Sequence, residues 1–129
     1  MGKRYLLDSN VIIDYIAGLY SDKTAHWLSQ IIDSEINVSI ITKIEVLSFS
    51  PNKDDDYAVL IDFFDVADVF ELTEDVVDKT IQLRQKKKIK LPVTVIAATA
   101  LVNKLILVSR NAKDFKNIPN LEVVNPYEI

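Results

Sequence analysis

Asp8, Glu45, Asn111 and Asp114 carry oxygen donors at three widely separated points of the chain, and each point follows a short apolar run. Asp8 ends Tyr5-Leu6-Leu7, Glu45 comes just after Ile36–Ile41, and Asn111 and Asp114 follow Leu105–Val108. An acid placed where a buried strand ends has left the core and faces the crevice in which α/β proteins bind ligands. Acids gathered at one such edge repel each other, and a bound divalent cation is the usual way to offset that cost. The chemistry these residues suggest is therefore that of a hard-cation site.

Each of the three points also has an ordinary structural reading. Asp8 suits the N-cap of a helix starting near Asn10, because Asp accepts the free N–H groups there. Thr42-x-x-Glu45 has the pattern of a capping box, in which the glutamate reaches back to the cap N–H. Asn111 as N-cap and Asp114 in the first turn would suit a third helix start. Capping does not explain why all three follow strands that a doubly wound sheet would place near its centre. The spacing permits the acids to converge without demanding it.

The elements that must position them are legible from periodicity. Tyr5–Leu7, Ile36–Ile41, Val66–Leu72, Leu105–Val108 and Leu121–Val124 are short and rich in branched residues, so each reads as a strand. Between them the apolar period lengthens to that of a helix, at Trp27, Leu28, Ile31 and Ile32, at Tyr57, Leu60, Ile61 and Phe64, and at Val76, Val77, Thr80, Ile81 and Leu83. Gly18 should close a first helix before a second begins near Lys23. Asn52 to Asp56 reads as a polar loop, and Ile118 to Asn120 as a turn. Alternating strands and helices imply a mainly parallel sheet covered on both faces. The expected fold is a three-layer α/β/α sandwich with about five strands, formed by one domain over residues 1–129.

Composition narrows the function classes. With no cysteine, disulfide frameworks, thiolate metal sites and cysteine nucleophiles are excluded. Only two glycines occur, neither in a glycine-rich strand-to-helix turn, which removes dinucleotide fingerprints and P-loops. No apolar run approaches the roughly 18 residues of a membrane span, and a cytoplasmic protein with no membrane contact is expected. The net charge of −4 argues against a general nucleic-acid coat, though a local basic patch could override it.

In order and at suitable separations, Leu-Leu-Asp-Ser-Asn-Val-Ile-Ile-Asp-Tyr, Ile-Thr-Lys-Ile-Glu-Val-Leu, Leu-Pro-Val-Thr-Val-Ile-Ala-Ala-Thr-Ala and Leu-Val-Ser-Arg-Asn-Ala-Lys-Asp-Phe resemble the motifs of PIN-domain nucleases, and within them of VapC-type toxins. The resemblance covers nearly the whole chain. It implies a Mg2+- or Mn2+-dependent ribonuclease whose carboxylates hold metal and position a water for attack on an RNA phosphodiester. It implies Asp8, Glu45 and Asp114 as catalytic and metal-binding acids, Asn111 as a weaker oxygen ligand, and Ser9 and Asn10 as support for the first acid. It further implies a small antitoxin partner, a homodimer, and tRNA or rRNA among the candidate substrates.

One departure matters as much as the match. Val93 stands where the family pattern has an aspartate, and valine cannot bind a cation. Val93 also fits an apolar helical stripe with Ile96, Ala97, Ala100 and Leu101. Mg2+ often needs only one or two protein carboxylates. The alternative is therefore a degenerate module that binds RNA or protein without cleaving. Arg84, Lys86, Lys87, Lys88 and Lys90 form the one dense basic run. It reads either as a solvated helix end or as RNA contacts leading into the Leu91-Pro92-Val93 segment. Asp14 is expected to face solvent or pair locally, and His26 to be a helix residue with no catalytic partner.

Overall fold

The computed structural model describes residues 2–49 and 54–129, with the side chains of residues 54–56 left aside. The order is β1 (Tyr5–Leu7), α1 (Ser9–Ile16), α2 (Asp22–Ser34), β2 (Asn37–Ser39), α3 (Ile40–Ser48), α4 (Asp54–Val66), β3 (Asp68–Phe70), α5 (Glu74–Lys86), α6 (Leu91–Asn103), β4 (Ile106–Val108), α7 (Ala112–Phe115) and β5 (Val123–Val124). A 3-10 turn over Pro126–Glu128 closes the described chain. All five expected strands are present, β1 with its expected bounds and the other four shorter than their apolar runs. Ile40 and Ile41 open α3 because Ser39 caps that helix, its hydroxyl accepting from the Thr42 N–H at 3.1 Å. Val66 similarly belongs to the end of α4. Asp54–Asp56, expected in a loop, begin α4, whereas Asn52 and Lys53 lie outside the described residues.

Every strand pairing is parallel. β1 pairs with β4 (Leu6 opposite Leu107), β4 with β5 (Val108 opposite Val124), and β2 with β3 (Val38 opposite Val69). The sheet is not one continuous ladder but a three-stranded and a two-stranded piece. β2 runs beside β1, where the buried Asn37 side chain donates to the Tyr5 carbonyl at 3.0 Å. A side-chain amide thus stands where a backbone rung would join the two pieces, and β1 lies at the centre of the order β3-β2-β1-β4-β5.

Two cores prove the three layers. Successive strand residues point to opposite faces, so Leu6 and Leu107 pack with Val76, Leu83, Val95 and Ile96 from α5 and α6. Leu7, Val38 and Val108 pack with Val11, Leu28, Val46, Leu60 and Phe64 from the other helices. Burying a side chain of this size contributes about 1.5–3 kcal/mol. Helix α6 is buried from Thr94 through Ala100 and has no polar face, so its threonines must satisfy themselves. Thr94 and Thr99 do so by donating to the carbonyls of Lys90 and Val95, both at 2.7 Å. Gly18, at φ 71°, closes α1 as expected, and α2 starts at Asp22 with Ser21 as its cap. Ile118–Asn120 lies in the turn before β5. Among the described residues no helix is long and apolar enough to cross a membrane.

Candidate active site

Asp8 extends the β1–β4 ladder by one step, its N–H donating to the Val108 carbonyl at 3.0 Å, and then turns into α1. It does cap that helix: Oδ1 accepts from the Ser9 N–H at 2.8 Å. The other oxygen, Oδ2, accepts from Ser109 Oγ at 2.7 Å and from Asn10 Nδ2 at 3.3 Å, and the residue also lines a hollow at the sheet edge. Capping and site membership therefore coexist in one side chain. Asp8 is buried, and burial, the largest influence, raises its pKa; Ser109, Ser9 and Asn10 pull it down, and the Glu45 charge pushes it up.

Glu45 does not complete a capping box. Ser39 holds the cap of α3, Thr42 lies inside the helix, and the glutamate turns outward to accept from Ser9 Oγ at 2.6 Å. Ser9 thereby links the acid following β1 to the acid following β2. Asn111 occupies the N-cap position of α7 but makes no side-chain cap bond, and Asp114 is exposed in its first turn. Ser109 has a second bond on this side, accepting from the Asn111 N–H at 3.0 Å.

These groups line one hollow of about 280 Å³, together with Ile13, Asp14, Pro92, Val93, Ile96, Arg110 and Phe115. All six positions assigned to the site or its support therefore share one space, and so does Val93. Val93 sits near the start of α6, half-buried against the core it helps to fill. The basic run is separate. Arg84 and Lys86 end α5, Lys87 follows as its C-cap, and these three line a second hollow of about 610 Å³ with Lys88, Ile89 and Leu91, while Lys90 takes the N-cap position of α6 outside that lining. Arg84 Nε donates to the Ile89 carbonyl at 3.2 Å, and Lys87 Nζ donates to the Asn117 carbonyl. Leu91 lines the basic hollow and the next residue, Pro92, lines the acidic one.

The donor set tests how a cation would fit. Among the described residues no three His, Asp or Glu side chains stand close enough to enclose an ion. Glu45 stands close enough to Asp8 for its charge to raise the Asp8 pKa, and Ser9 bridges the two. Asn111 and Asp114 line the same hollow and offer further oxygens. This set suits a largely hydrated hard cation held by one or two carboxylates, and does not suit an all-protein cage.

Asp14 departs from expectation. It is 4% exposed and is paired far along the chain, accepting from Arg110 Nη1 at 2.9 Å and from the Tyr127 hydroxyl at 3.2 Å. Its partner across the sequence was invisible because helix geometry alone describes only neighbours three or four residues away. Ser109, Arg110 and Tyr127 had not been singled out. Ser109 did carry a signal: it follows β4 as Asp8 follows β1, and parallel register sets the two side by side. His26 is exposed on α2, and Trp27 packs edge-on to Tyr5 with ring centroids 5.8 Å apart.

A parallel α/β sandwich with carboxylates collected beyond the carboxyl ends of its central strands defines a class of protein in which acids at a sheet edge await a ligand. The sequence profile of the PIN domain matches residues 5–121, and the chain belongs to the PIN domain family, a family of nucleases in general. A chain of a toxin-antitoxin complex from Klebsiella pneumoniae is similar at 31% identity and TM-score 0.74, covering 97% of this chain and 99% of that one. A chain of VapBC2 from Rickettsia felis, bound to a DNA fragment from its promoter, is similar at 25% identity and TM-score 0.79, covering 94% and 97%. DNA-bound VapBC from Salmonella typhimurium shares the fold at 20% identity and TM-score 0.80, covering 97% and 99%. No curated protein matches the sequence. The resemblance to VapC-type proteins read from the four motifs is borne out.

Proposed function

We propose that the chain is a divalent-metal-dependent ribonuclease and the toxin of a VapBC-type pair, restrained by a small antitoxin. The observation that carries this reading is the shared hollow: Asp8, Glu45, Asn111 and Asp114 come from three chain segments to one edge of the sheet. Membership of a nuclease family supports phosphodiester cleavage, and the toxin-antitoxin complexes among its structural neighbours support the partner. Mg2+ or Mn2+ bound there would polarise a phosphate oxygen and lower the pKa of a bound water. Asp8 and Glu45 would hold the ion, Asn111 and Asp114 would orient its water shell, and Ser9 and Asn10 would fix Asp8 and Glu45. The basic run from Arg84 to Lys90 would guide the RNA backbone past Pro92 into the hollow, which reconciles an acidic protein with a polyanionic substrate. RNA such as tRNA or rRNA is the substrate class, and a cytoplasmic homodimer is the working form.

Val93 supports a second reading, a module that binds RNA or a protein partner and no longer cleaves. Purified protein incubated with single-stranded RNA over a Mn2+ titration separates the two. Cleavage that rises with Mn2+, stops with a chelator and is lost in Asp8→Asn establishes the nuclease. Retention of RNA without cleavage at any metal concentration establishes the binding module.

A further inference from the structure

Among the described residues the acidic hollow has one cation in its wall, Arg110, and its setting is unlike that of a solvated surface arginine. Its side chain is 48% exposed, whereas the carboxylate that holds it, Asp14, is 6% exposed. A buried carboxylate is costly unless paired, so the Asp14 position makes sense only with Arg110 and the Tyr127 hydroxyl both present. Asp14 takes Nη1 at 2.9 Å and Tyr127 adds its bond at 3.2 Å. Tyr127 is fixed in turn, with its ring centroid 4.8 Å from that of buried Tyr20 and its N–H on Asn125 Oδ1 at 3.0 Å. One edge of the guanidinium is thereby anchored, and Arg has five N–H donors in a rigid fork. Among the described residues the other guanidinium donors make no hydrogen bond, and the side chain is half-exposed where it lines the hollow.

The backbone of the same residue is tied to the acid centre. The Arg110 N–H donates to Asn10 Oδ1 at 3.0 Å, and Asn10 Nδ2 donates to Asp8 Oδ2 at 3.3 Å. Arg110 is thus registered against Asp8 by its main chain and aimed by Asp14 through its side chain. Pairing with buried Asp14 uses one edge of this cation, which stands among Asp8, Glu45 and Asp114 in the lining of the hollow. A fork held at one edge and open at the other is the arrangement that receives a phosphate bidentately.

We propose that Arg110 binds a phosphate of the RNA backbone beside the carboxylate centre, with Asp14 and Tyr127 as positioning residues that hold its guanidinium toward the hollow. This rests on the ribonuclease reading and assigns a substrate contact within that site. Arg110 supplies on this side the charge that the acids lack, and it fixes the strand's distance from Asp8.

The test measures binding of a fluorescent single-stranded RNA without divalent metal over a range of salt, alongside Mn2+-supported cleavage. Arg110→Ala should weaken binding about tenfold and reduce the slope of log Kd against log salt by about 0.7, the value of one phosphate contact on a single strand. Arg110→Lys keeps the charge, and should restore the slope while leaving KM raised, because an ammonium lacks the planar fork that holds one edge on Asp14 and presents the other bidentately to a phosphate. Asp14→Asn should raise KM with the slope unchanged, since the charge remains but its aim is lost. Thermal denaturation of each variant tracks folding, and Arg110→Lys keeps the test available through its raised KM where Arg110→Ala is too unstable. If Arg110→Ala or Arg110→Lys binds RNA with wild-type affinity, slope and KM while Asp8→Asn abolishes cleavage, the Arg110 assignment is wrong and the nuclease stands. A wild-type protein that neither binds nor cleaves RNA overturns both.

Discussion

The two walls of the acidic hollow are built differently. On the wall formed by β1, α1 and the residue after β4, Asp8 is buried and held by three donors, Ser9, Asn10 and Ser109. On the wall formed by the starts of α6 and α7, Val93 fills space, while Asn111 and Asp114 are exposed and make no side-chain hydrogen bond among the described residues. The first wall is fixed before any ligand arrives. The second offers oxygens that a ligand or metal would have to organise, at a cost in side-chain freedom. A site with one rigid wall can bind in the right place and still catalyse slowly, because misplacement of about 1 Å costs on the order of 100-fold in rate.

The largest effect that separates the walls should come from Asp8. Asp8→Asn removes the carboxylate held by three donors while keeping its size, and should lower cleavage by more than about 100-fold, since losing a mere supporting partner of a metal ligand already costs about 10–100-fold. Asp114→Asn, on the other wall, should cost less than Asp8→Asn in the same assay. Equal losses would mean that the two walls contribute alike and that the contrast drawn from their hydrogen bonds has no functional meaning.

Ser109→Ala is next in size and probes what makes the first wall rigid. The hydroxyl donates to Asp8 and accepts from the Asn111 N–H, so its removal leaves two buried or half-buried groups short of a partner. Cleavage should fall about 10–100-fold, and stability by about 1–3 kcal/mol, read by urea denaturation. Unchanged kinetics with reduced stability would make Ser109 a folding residue only.

How much of this was legible in the sequence follows from the range of each signal. Strands and helices were readable because their periods are local, and the motifs placed Asp8, Glu45, Asn111, Asp114 and Val93 in one hollow, where the structure has them. Strand ends were less legible: Ile40 and Ile41 look like strand residues, and only the Ser39 cap converts them to helix. The break between β1 and β2 rests on the one Asn37 amide, which nothing in the apolar pattern foretells. Asp14 could not be paired from sequence because Arg110 and Tyr127 lie 96 and 113 residues away.

Val93→Asp would rebuild the second wall. The substitution places a carboxylate in the hollow, and metal affinity and cleavage should rise about tenfold if the missing ligand is what limits the site. It also removes an apolar group that is packed on the core, at roughly 1 kcal/mol for partial burial. A less stable and more active variant would show that Val93 has exchanged catalytic power for packing. A variant with neither greater metal affinity nor faster cleavage would move the missing ligand elsewhere and leave the second wall complete as it stands.

The smallest effect is a pH dependence that belongs to the first wall alone. Burial raises the pKa of Asp8 in the folded chain above its unfolded value, so the folded state binds this proton more tightly. Between those two values the folded chain carries more protons than the unfolded one, and stability attributable to Asp8 falls as pH rises through that window. A bound divalent cation favours the ionised form and reverses the sign, so the metal-loaded protein should gain stability as pH rises over the same range. Thermal denaturation from pH 4 to 8, with and without Mg2+, checks this for wild type and Asp8→Asn. The wild-type curves should lie together at low pH and diverge as pH rises, and the Asp8→Asn curves should run parallel, since the titrating group is gone. Parallel wild-type curves would mean that the proton and the cation do not compete for Asp8, and that the fixed wall is not where the metal binds.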